Sequence, residues 1–444
     1  MSKGPRSRGF PGRQRMKHLK STDTSPGAEK ALLVEMMLKT ERSYQKPLEE
    51  LIALARTAGL NVVDAVVQRR QRPDAAYSIG RGKAEELAGL AKGLDADVVV
   101  FDNDLTPAQV RNLEELLGTK VIDRSEVILD IFAIHARTEQ AKAQVELAQL
   151  EYSLPRLRRM WTHLSRIEGG IGLRGPGEKQ LEVDRRIAHK RIGDLKRIIK
   201  ANEARREREV AGRRDEFSAS IVGYTNAGKS TLMNALTHAG VLVEDRLFAT
   251  LDTKTSSFKL PGGRKALLSD TVGFIRNLPH HLVTSFHATL EEALRADLLL
   301  HVADAAHPDA RMQIDTVENV LDEIGCTAPR LLVLNKMDLV EEGIELQALL
   351  HEFPDSVAIS ARGGEGVEDL KNAIERFIDR DLVMVEIRLP GDSALVGRVR
   401  AAIMKSGRIL EEMTEDGLIT MCARLKNEDL GRLGKISGVE VLRL

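Results

Sequence analysis

Residues Gly223 to Ser230 read Gly-Tyr-Thr-Asn-Ala-Gly-Lys-Ser, a spacing that suits a loop wrapped around phosphates. Glycines let backbone N–H groups converge on phosphate oxygens, the lysine reaches the outer phosphates, and the hydroxyl can ligate Mg²⁺. In that reading Gly223, Tyr224, Thr225, Asn226, Ala227, Gly228, Lys229, Ser230 and Thr231 form the phosphate-binding segment. Lys229 serves the β and γ phosphates and Ser230 the metal. The apolar run FSASIVG before the loop predicts a strand and TLMNALT after it a helix, the context a chance match would lack.

A phosphate loop alone does not name the base, the metal or a switch; four further segments do. Phe248-Ala249-Thr250, followed by Leu251 and Asp252, lies twenty residues beyond Ser230 in a stretch without strong periodicity. That is the place for a first switch, in which the Thr250 hydroxyl joins the Mg²⁺ shell only when a γ-phosphate is present. The strand-like KALLS ends in Asp270-Thr271-Val272-Gly273. Asp270 would hold the metal through water and the Gly273 amide would meet the γ-phosphate.

After the strand-like RLLVLN, Asn335-Lys336-Met337-Asp338 would frame the base. Asp338 can accept from the guanine N1–H and the exocyclic amino group together, a donor pair that adenine lacks, so a carboxylate covered and left unpaired by the wrong base selects GTP over ATP. Ser360-Ala361-Arg362, 22 residues further on, would offer a backbone N–H to guanine O6. The five segments together predict a GTPase.

Phe274 stands where Ras-like proteins commonly carry the glutamine that orients the attacking water, and a phenyl ring cannot hydrogen-bond water as an amide does. The catalytic group is therefore unassigned, with Lys229, Thr250 and Gly273 supporting phosphoryl transfer, and slow, partner-stimulated hydrolysis is expected. His280, His281 and His287 follow in the second switch, but spacing does not bring an imidazole to the water. Asn226 resembles the asparagine of potassium-activated GTPases, which makes K⁺ a candidate second cation beside Mg²⁺.

These segments need elements to hold them. Over 27–125, apolar runs such as ALLVEMML, DVVVFD and KVID alternate with helical patterns, the rhythm of a small α/β domain with a largely parallel sheet. Gly80-Arg81-Gly82-Lys83 opens one of its helices. Over 126–215, Leu147, Leu150, Leu154, Leu157, Trp161 and Leu164 form one seam, and Leu181, Ala188, Ile192, Leu195 and Ile199 another, predicting an antiparallel helical hairpin with a bend at Pro155. Its glycine-rich tip, 168–178, contains a formal GxGxxG from Gly170 to Gly175. It lacks the preceding strand and contains Pro176, so it is no dinucleotide fingerprint.

The P-loop domain spans 216–380, and 381–444 forms a small α+β module. The fold class is thus α/β: a mostly parallel P-loop sheet flanked by helices, preceded by the small α/β domain and the hairpin and followed by the module.

Formal net charge is zero, with 66 basic and 66 acidic residues, but its distribution is uneven. The basic tail 1–26, rich in Gly, Pro and Arg and read as disordered, has seven Lys or Arg and no acid in its first twenty residues. Residues 156–214 hold 18 basic against eight acidic groups. Arg158, Arg159, Arg166, Arg174, Lys179, Arg185 and Arg186 flank or sit on the glycine-rich tip, and cations beside a close-approaching backbone suit folded RNA. Cys326 and Cys422 are too few for a disulfide framework and point to the reducing cytoplasm. No segment has the apolar length to span a bilayer.

The combination of IGRGK in the first domain, GGIGLRGPGE at the hairpin bend, and GYTNAGKS, LFATLD, DTVGF, NKMD and SAR resembles the HflX family of ribosome-associated GTPases, over about residues 27 to 444. The resemblance implies binding to the large ribosomal subunit and its rRNA; no DNA or membrane partner is expected, and the chain is expected to act as a monomer. It also implies approach of the glycine-rich loop to the ribosomal active centre, and rescue of stalled or stressed ribosomes by splitting them. The alternative is an RNA-binding assembly factor, or an ATP-dependent RNA remodeller in which the G domain only regulates.

Overall fold

The computed structural model describes residues 28–39, 48–160, 176–211, 217–237, 247–248, 254–276, 294–340, 343–380, 382–415 and 417–444. The chain divides into two compact units, Met1–Val127 and Ile128–Leu444.

In the first unit four parallel strands lie in the order β2-β1-β3-β4: β1 (Lys30–Leu38), β2 (Asn61–Arg70), β3 (Val98–Phe101) and β4 (Lys120–Asp123). Residues Ala31 to Met37 are all buried. A buried run of this kind, apolar except for Glu35, belongs to a central strand covered on both faces. The connecting helices are α1 (Glu49–Thr57), α2 (Arg81–Leu94) and α3 (Pro107–Leu117). Thr106 and Gln109 form a reciprocal capping box at the start of α3, with Pro107 in its first turn, and Gly118 ends it in the left-handed conformation. Arg124 is almost fully buried and pairs with Asp102 at 2.5 Å and with Glu50, so its charge is matched inside the fold.

Three helices follow: α4 (Arg124–His135), α5 (Glu139–Met160) and α6 (Pro176–Ala211). The sequence between Ser125 and Leu154 contains neither Gly nor Pro, yet the helix breaks at 136–138, where the Thr138 hydroxyl accepts from Ala141 N–H at 3.1 Å and caps the next helix. Pro155 lies inside α5, which continues to Met160. Helices α5 and α6 pack through Ala143, Leu147 and Leu195, flanked by Leu150, Ile192 and Ile199. Ion pairs Glu146–Arg191 (2.6 Å) and Glu151–Lys196 (2.8 Å) cross the seam.

The six-stranded sheet runs β10-β9-β8-β5-β7-β6. Its strands are β5 (Phe217–Gly223), β6 (Thr255–Lys259), β7 (Lys265–Asp270), β8 (Leu298–Asp304), β9 (Arg330–Asn335) and β10 (Val357–Ala358). All pairings are parallel except β6 with β7. Around it lie α7 (Lys229–Thr237), α8 (Ala310–Glu323), α9 (Ile344–Glu352) and α10 (Val367–Asp379). Helix α10 shows why the layers close: Val367, Leu370, Ile374 and Ile378 recur at helical spacing and enter the same core as Ile221, Leu268 and Leu300.

The last module is a four-stranded antiparallel sheet in the order β12-β13-β11-β14: β11 (Leu382–Pro390), β12 (Arg408–Glu415), β13 (Leu418–Lys426) and β14 (Glu440–Arg443). Helices α11 (Ser393–Ser406) and α12 (Asn427–Leu433) complete it around Val385, Ile387, Val399, Ile403 and Met421. The short strand β14 was not anticipated. Among the described residues no helix is long and apolar enough to cross a membrane.

Candidate functional site

The carboxyl ends of four neighbouring strands carry Gly223 (β5), Asp270 (β7), Asp304 (β8) and Asn335 (β9). A parallel sheet places ligands at this edge, because there the chain turns from strand to helix with its N–H groups facing outward.

From Gly223 the chain loops through residues 224–228 and enters α7 at Lys229. Gly228 has φ +92°, and a Cβ there would lie 2.2 Å from the Asn335 side chain, so the loop packs against Asn335 only with glycine. Asn226 is exposed at φ +61°, a left-handed conformation that asparagine tolerates. Tyr224 and Ala227 are buried, whereas Thr231 is half-buried.

Lys229 is buried, and its Nζ donates to the carbonyls of Tyr224 (2.8 Å) and Gly223 (3.2 Å). Burial lowers its pKa from 10.5 to about 8, with Asp270 pulling the other way. Such an ammonium gains from an anion beside it. Ser230 Oγ donates to Asp270 Oδ2 at 3.1 Å, and Asp270 is fully buried.

Hydroxyl and carboxylate oxygens side by side, at a helix start, fit Mg²⁺, which binds few protein oxygens and keeps water and phosphate in its remaining positions. Among the described residues no group of three or more His, Cys, Asp or Glu could hold a metal unaided.

The DTVG segment is stitched to the loop. Tyr224 and Phe274 form a parallel bridge: Phe274 N–H donates to Gly223 O at 3.0 Å, and Thr225 N–H donates to Phe274 O at 2.7 Å. Tyr224 Oη accepts from Arg276 N–H at 2.9 Å. Thr271 Oγ1 donates to Ile221 O at 2.6 Å, and Val272 is buried. A Cβ on Gly273 would lie 2.8 Å from Lys229 Nζ and 2.9 Å from Thr225 Cγ2, so this glycine is a steric requirement. The Phe274 side chain is buried.

The segment Asn335 to Asp338 is held from both sides. Asn335 Nδ2 donates to Ala227 O at 2.8 Å, and Asn335 Oδ1 accepts from Ala361 N–H at 2.9 Å. Lys336 takes φ +63° and pairs with Asp304 at 2.7 Å. Met337 N–H donates to Ile359 O at 3.2 Å, and Asp338 presents an exposed carboxylate in the short turn Met337–Leu339. Ser360 Oγ accepts from Gly363 N–H at 2.9 Å and closes the turn that carries Ala361 and the exposed Arg362. The Ala361 amide, one of those expected to face guanine O6, here buttresses Asn335.

Phe248 is buried, its ring edge-on to Phe132 with centroids 4.7 Å apart. Ala249, Thr250, Leu251 and Asp252 lie outside the described residues, as do His280, His281 and His287. Of the basic groups assigned to RNA, Arg158 and Arg159 fall in α5 and Lys179 in α6. Arg185 is half-buried, Arg186 is exposed, and Arg166 and Arg174 lie outside the described residues. Sequence reasoning passed over Asp304. Its signal was the strand-like LLLHVAD ending in an acid, but its partner Lys336 is 32 residues away.

Three family models match in succession: "GTP-binding GTPase N-terminal" over residues 45–133, "GTP-binding GTPase Middle Region" over 135–213 and "50S ribosome-binding GTPase" over 218–336. The chain is 46% identical over 396 residues to GTPase HflX of Lacrimispora saccharolytica, covering 88% of this chain and 92% of that one. It is 42% identical over 418 residues to GTPase HflX of Escherichia coli K12, covering 93% and 97%. A solved structure, that of SsGBP with GDP, is 27% identical with a TM-score of 0.45, covering 79% of this chain and 98% of that one.

Proposed function

This chain belongs to the HflX family of GTPases, and from that premise we propose that it binds the large ribosomal subunit and uses GTP to dissociate or rescue stalled ribosomes. Hydrolysis of GTP follows from the family. Its coupling to the ribosome is the proposal, and the observation that carries it is Phe274, buried at the position where a water-orienting glutamine is usual. A GTPase without that amide is slow alone and is suited to activation by a partner.

Within the site, Lys229 would neutralise the β and γ phosphates, Asp338 would select guanine, and the Gly273 amide would report the γ-phosphate to the second switch. Ser230, Asp270 through water, and Thr250 would hold Mg²⁺, which when bound neutralises phosphate charge. Asn226 is the residue proposed to bring K⁺ to the loop; equal turnover in K⁺ and Na⁺ buffers would remove that part of the reading.

The helical pair 126–215 would carry its basic tip, 168–178, against rRNA, with Arg158, Arg159, Arg166, Arg174, Lys179, Arg185 and Arg186 on phosphates. Binding energy of the GTP state would separate the subunits, and hydrolysis would release the protein, which acts as a cytoplasmic monomer.

The test is GTP turnover with and without purified large subunits, with Lys229→Ala as the blank. Strong stimulation is expected. Slow hydrolysis unchanged by subunits would sink the ribosomal part and leave the GTPase standing. Asp338→Asn is expected to abolish splitting; full splitting by that variant with ATP would favour an ATP-driven remodeller.

A further inference from the structure

Thr225 is 6% exposed, and its Oγ1 is buried without a hydrogen-bond partner among the described residues. Other hydroxyls of the site are satisfied: Ser230 donates to Asp270 and Thr271 to the Ile221 carbonyl. A buried, unmatched hydroxyl destabilises a fold, so one at the centre of a phosphate loop calls for a partner that arrives with the ligand.

Its position limits what that partner is. The Thr225 backbone is fixed by donation from its N–H to Phe274 O at 2.7 Å. Its Cγ2 lies 2.9 Å, and Lys229 Nζ 2.8 Å, from the point a Cβ on Gly273 would occupy. The threonine, the lysine that serves the outer phosphates and the glycine of the DTVG segment therefore converge. A β-branched side chain with its methyl group fixed has its hydroxyl direction fixed too.

The amides further along the loop, towards Thr231, face the inner phosphates, whereas Lys229 and Gly273 are the groups of the terminal one. Phe274 is buried, and the Thr225 side chain, with its methyl group towards Gly273, stands beside that corner of the site.

We propose that Thr225 Oγ1 donates a hydrogen bond to the γ-phosphate of GTP, so that this hydroxyl distinguishes GTP from GDP and holds the terminal phosphoryl group for hydrolysis. GDP leaves the hydroxyl unmatched. GTP satisfies it, and the same contact draws the loop and the DTVG segment onto one ligand.

The test uses the full-length protein, nucleotide-free, with Thr225→Val, which keeps the shape and removes the hydroxyl, and Thr225→Ser, which keeps the hydroxyl. Thermal melting is followed alone, with GDP and with a non-hydrolysable GTP analogue, and affinities are taken from titration. The valine variant is expected to melt at least as high as the parent without nucleotide. It should bind GDP within about two-fold and lose roughly ten-fold or more in affinity for the analogue, since hydrogen bonds to charged groups are among the stronger ones. Serine should restore most of that loss.

Equal losses for GDP and analogue would assign the hydroxyl to loop geometry and overturn the proposal. So would unchanged affinity for both, or a lower melting temperature of the valine variant without nucleotide.

Discussion

Asn335 and Ala227, 108 residues apart, join the two halves of the nucleotide site: the asparagine amide donates to the Ala227 carbonyl of the phosphate loop at 2.8 Å. Its oxygen accepts from Ala361 N–H at 2.9 Å, so one buried side chain ties the phosphate loop, the base loop and the SAR turn together. Asn335→Ala would leave a buried carbonyl and a buried amide unmatched, at about 1–3 kcal/mol each. The expected outcome is a loss of roughly 2–6 kcal/mol in stability together with weakened binding of both GDP and GTP. Thermal melting and nucleotide titration measure the two effects, and a variant with unchanged melting would show that the bridge is not structural.

Lys229 makes the nucleotide-free protein sensitive to alkaline pH. Its folded pKa is lowered to about 8 by burial, against 10.5 for the ordinary group. Between those values the unfolded chain binds more protons than the folded one, so this lysine's contribution to stability rises with pH across the window. Below about pH 8 its penalty is present in full, on the order of a few kcal/mol. Relative to Lys229→Met, the parent should therefore gain stability from pH 8 to 10. Binding of a nucleotide near pH 8.5 should also take up protons, because phosphates restore the charged form. Calorimetry in buffers of different ionisation enthalpy measures that uptake, and its absence would mean that Lys229 stays fully protonated without ligand.

Much of this site was legible because the residues of each nucleotide motif sit within a few positions of one another, where a strand end and a helix start already determine their geometry. Lys229 and Ser230 fall at the start of α7 for that reason. The α/β class followed from alternating apolar runs and helical patterns, and the buried run from Ala31 to Met37, apolar except for Glu35, belongs to a central strand. What stayed hidden depends on pairings distant in sequence: Asp304 with Lys336, Asn335 with Ala227, and the Thr225 side chain packed beside Gly273 with its hydroxyl unmatched among the described residues. The break at 136–138 was missed because a threonine cap, rather than Gly or Pro, restarts the helix. The four-residue strand β14 carries too short a pattern to be read alone.

Gly273 has no room for a methyl group. A Cβ there would meet Lys229 Nζ at 2.8 Å and Thr225 Cα at 3.0 Å, so Gly273→Ala must displace the lysine or the loop. Overpacking of this kind costs about 1–3 kcal/mol. With Lys229 and Gly273 in the outer-phosphate roles proposed above, the variant should retain most of its GDP affinity while hydrolysis falls by at least about ten-fold, the factor that about 1.4 kcal/mol of barrier represents. Turnover equal to the parent would show that the switch segment accommodates the methyl group by moving as a whole.

The turn between β6 and β7, from which β7 runs to Asp270 at its far end, is held by α10 and by the segment that enters β12. Arg264 pairs with Asp379 at 3.1 Å, with side chains 10% and 8% exposed, and its Nε donates to Gly407 O at 3.3 Å. Asp379 also receives Arg408 at 3.1 Å and Arg424 at 3.5 Å, while Glu375 accepts from Gly262 N–H at 3.2 Å. One carboxylate thus balances three guanidinium groups. Removing one partner of a buried ionic network costs about 3–5 kcal/mol, because the remaining charges are left uncompensated. Asp379→Ala should therefore destabilise the protein more than Arg264→Met, after which Asp379 still has Arg408 and Arg424. A melting comparison of the two variants decides the order, and equal effects would mean that the Arg264 pair alone carries the network's stability.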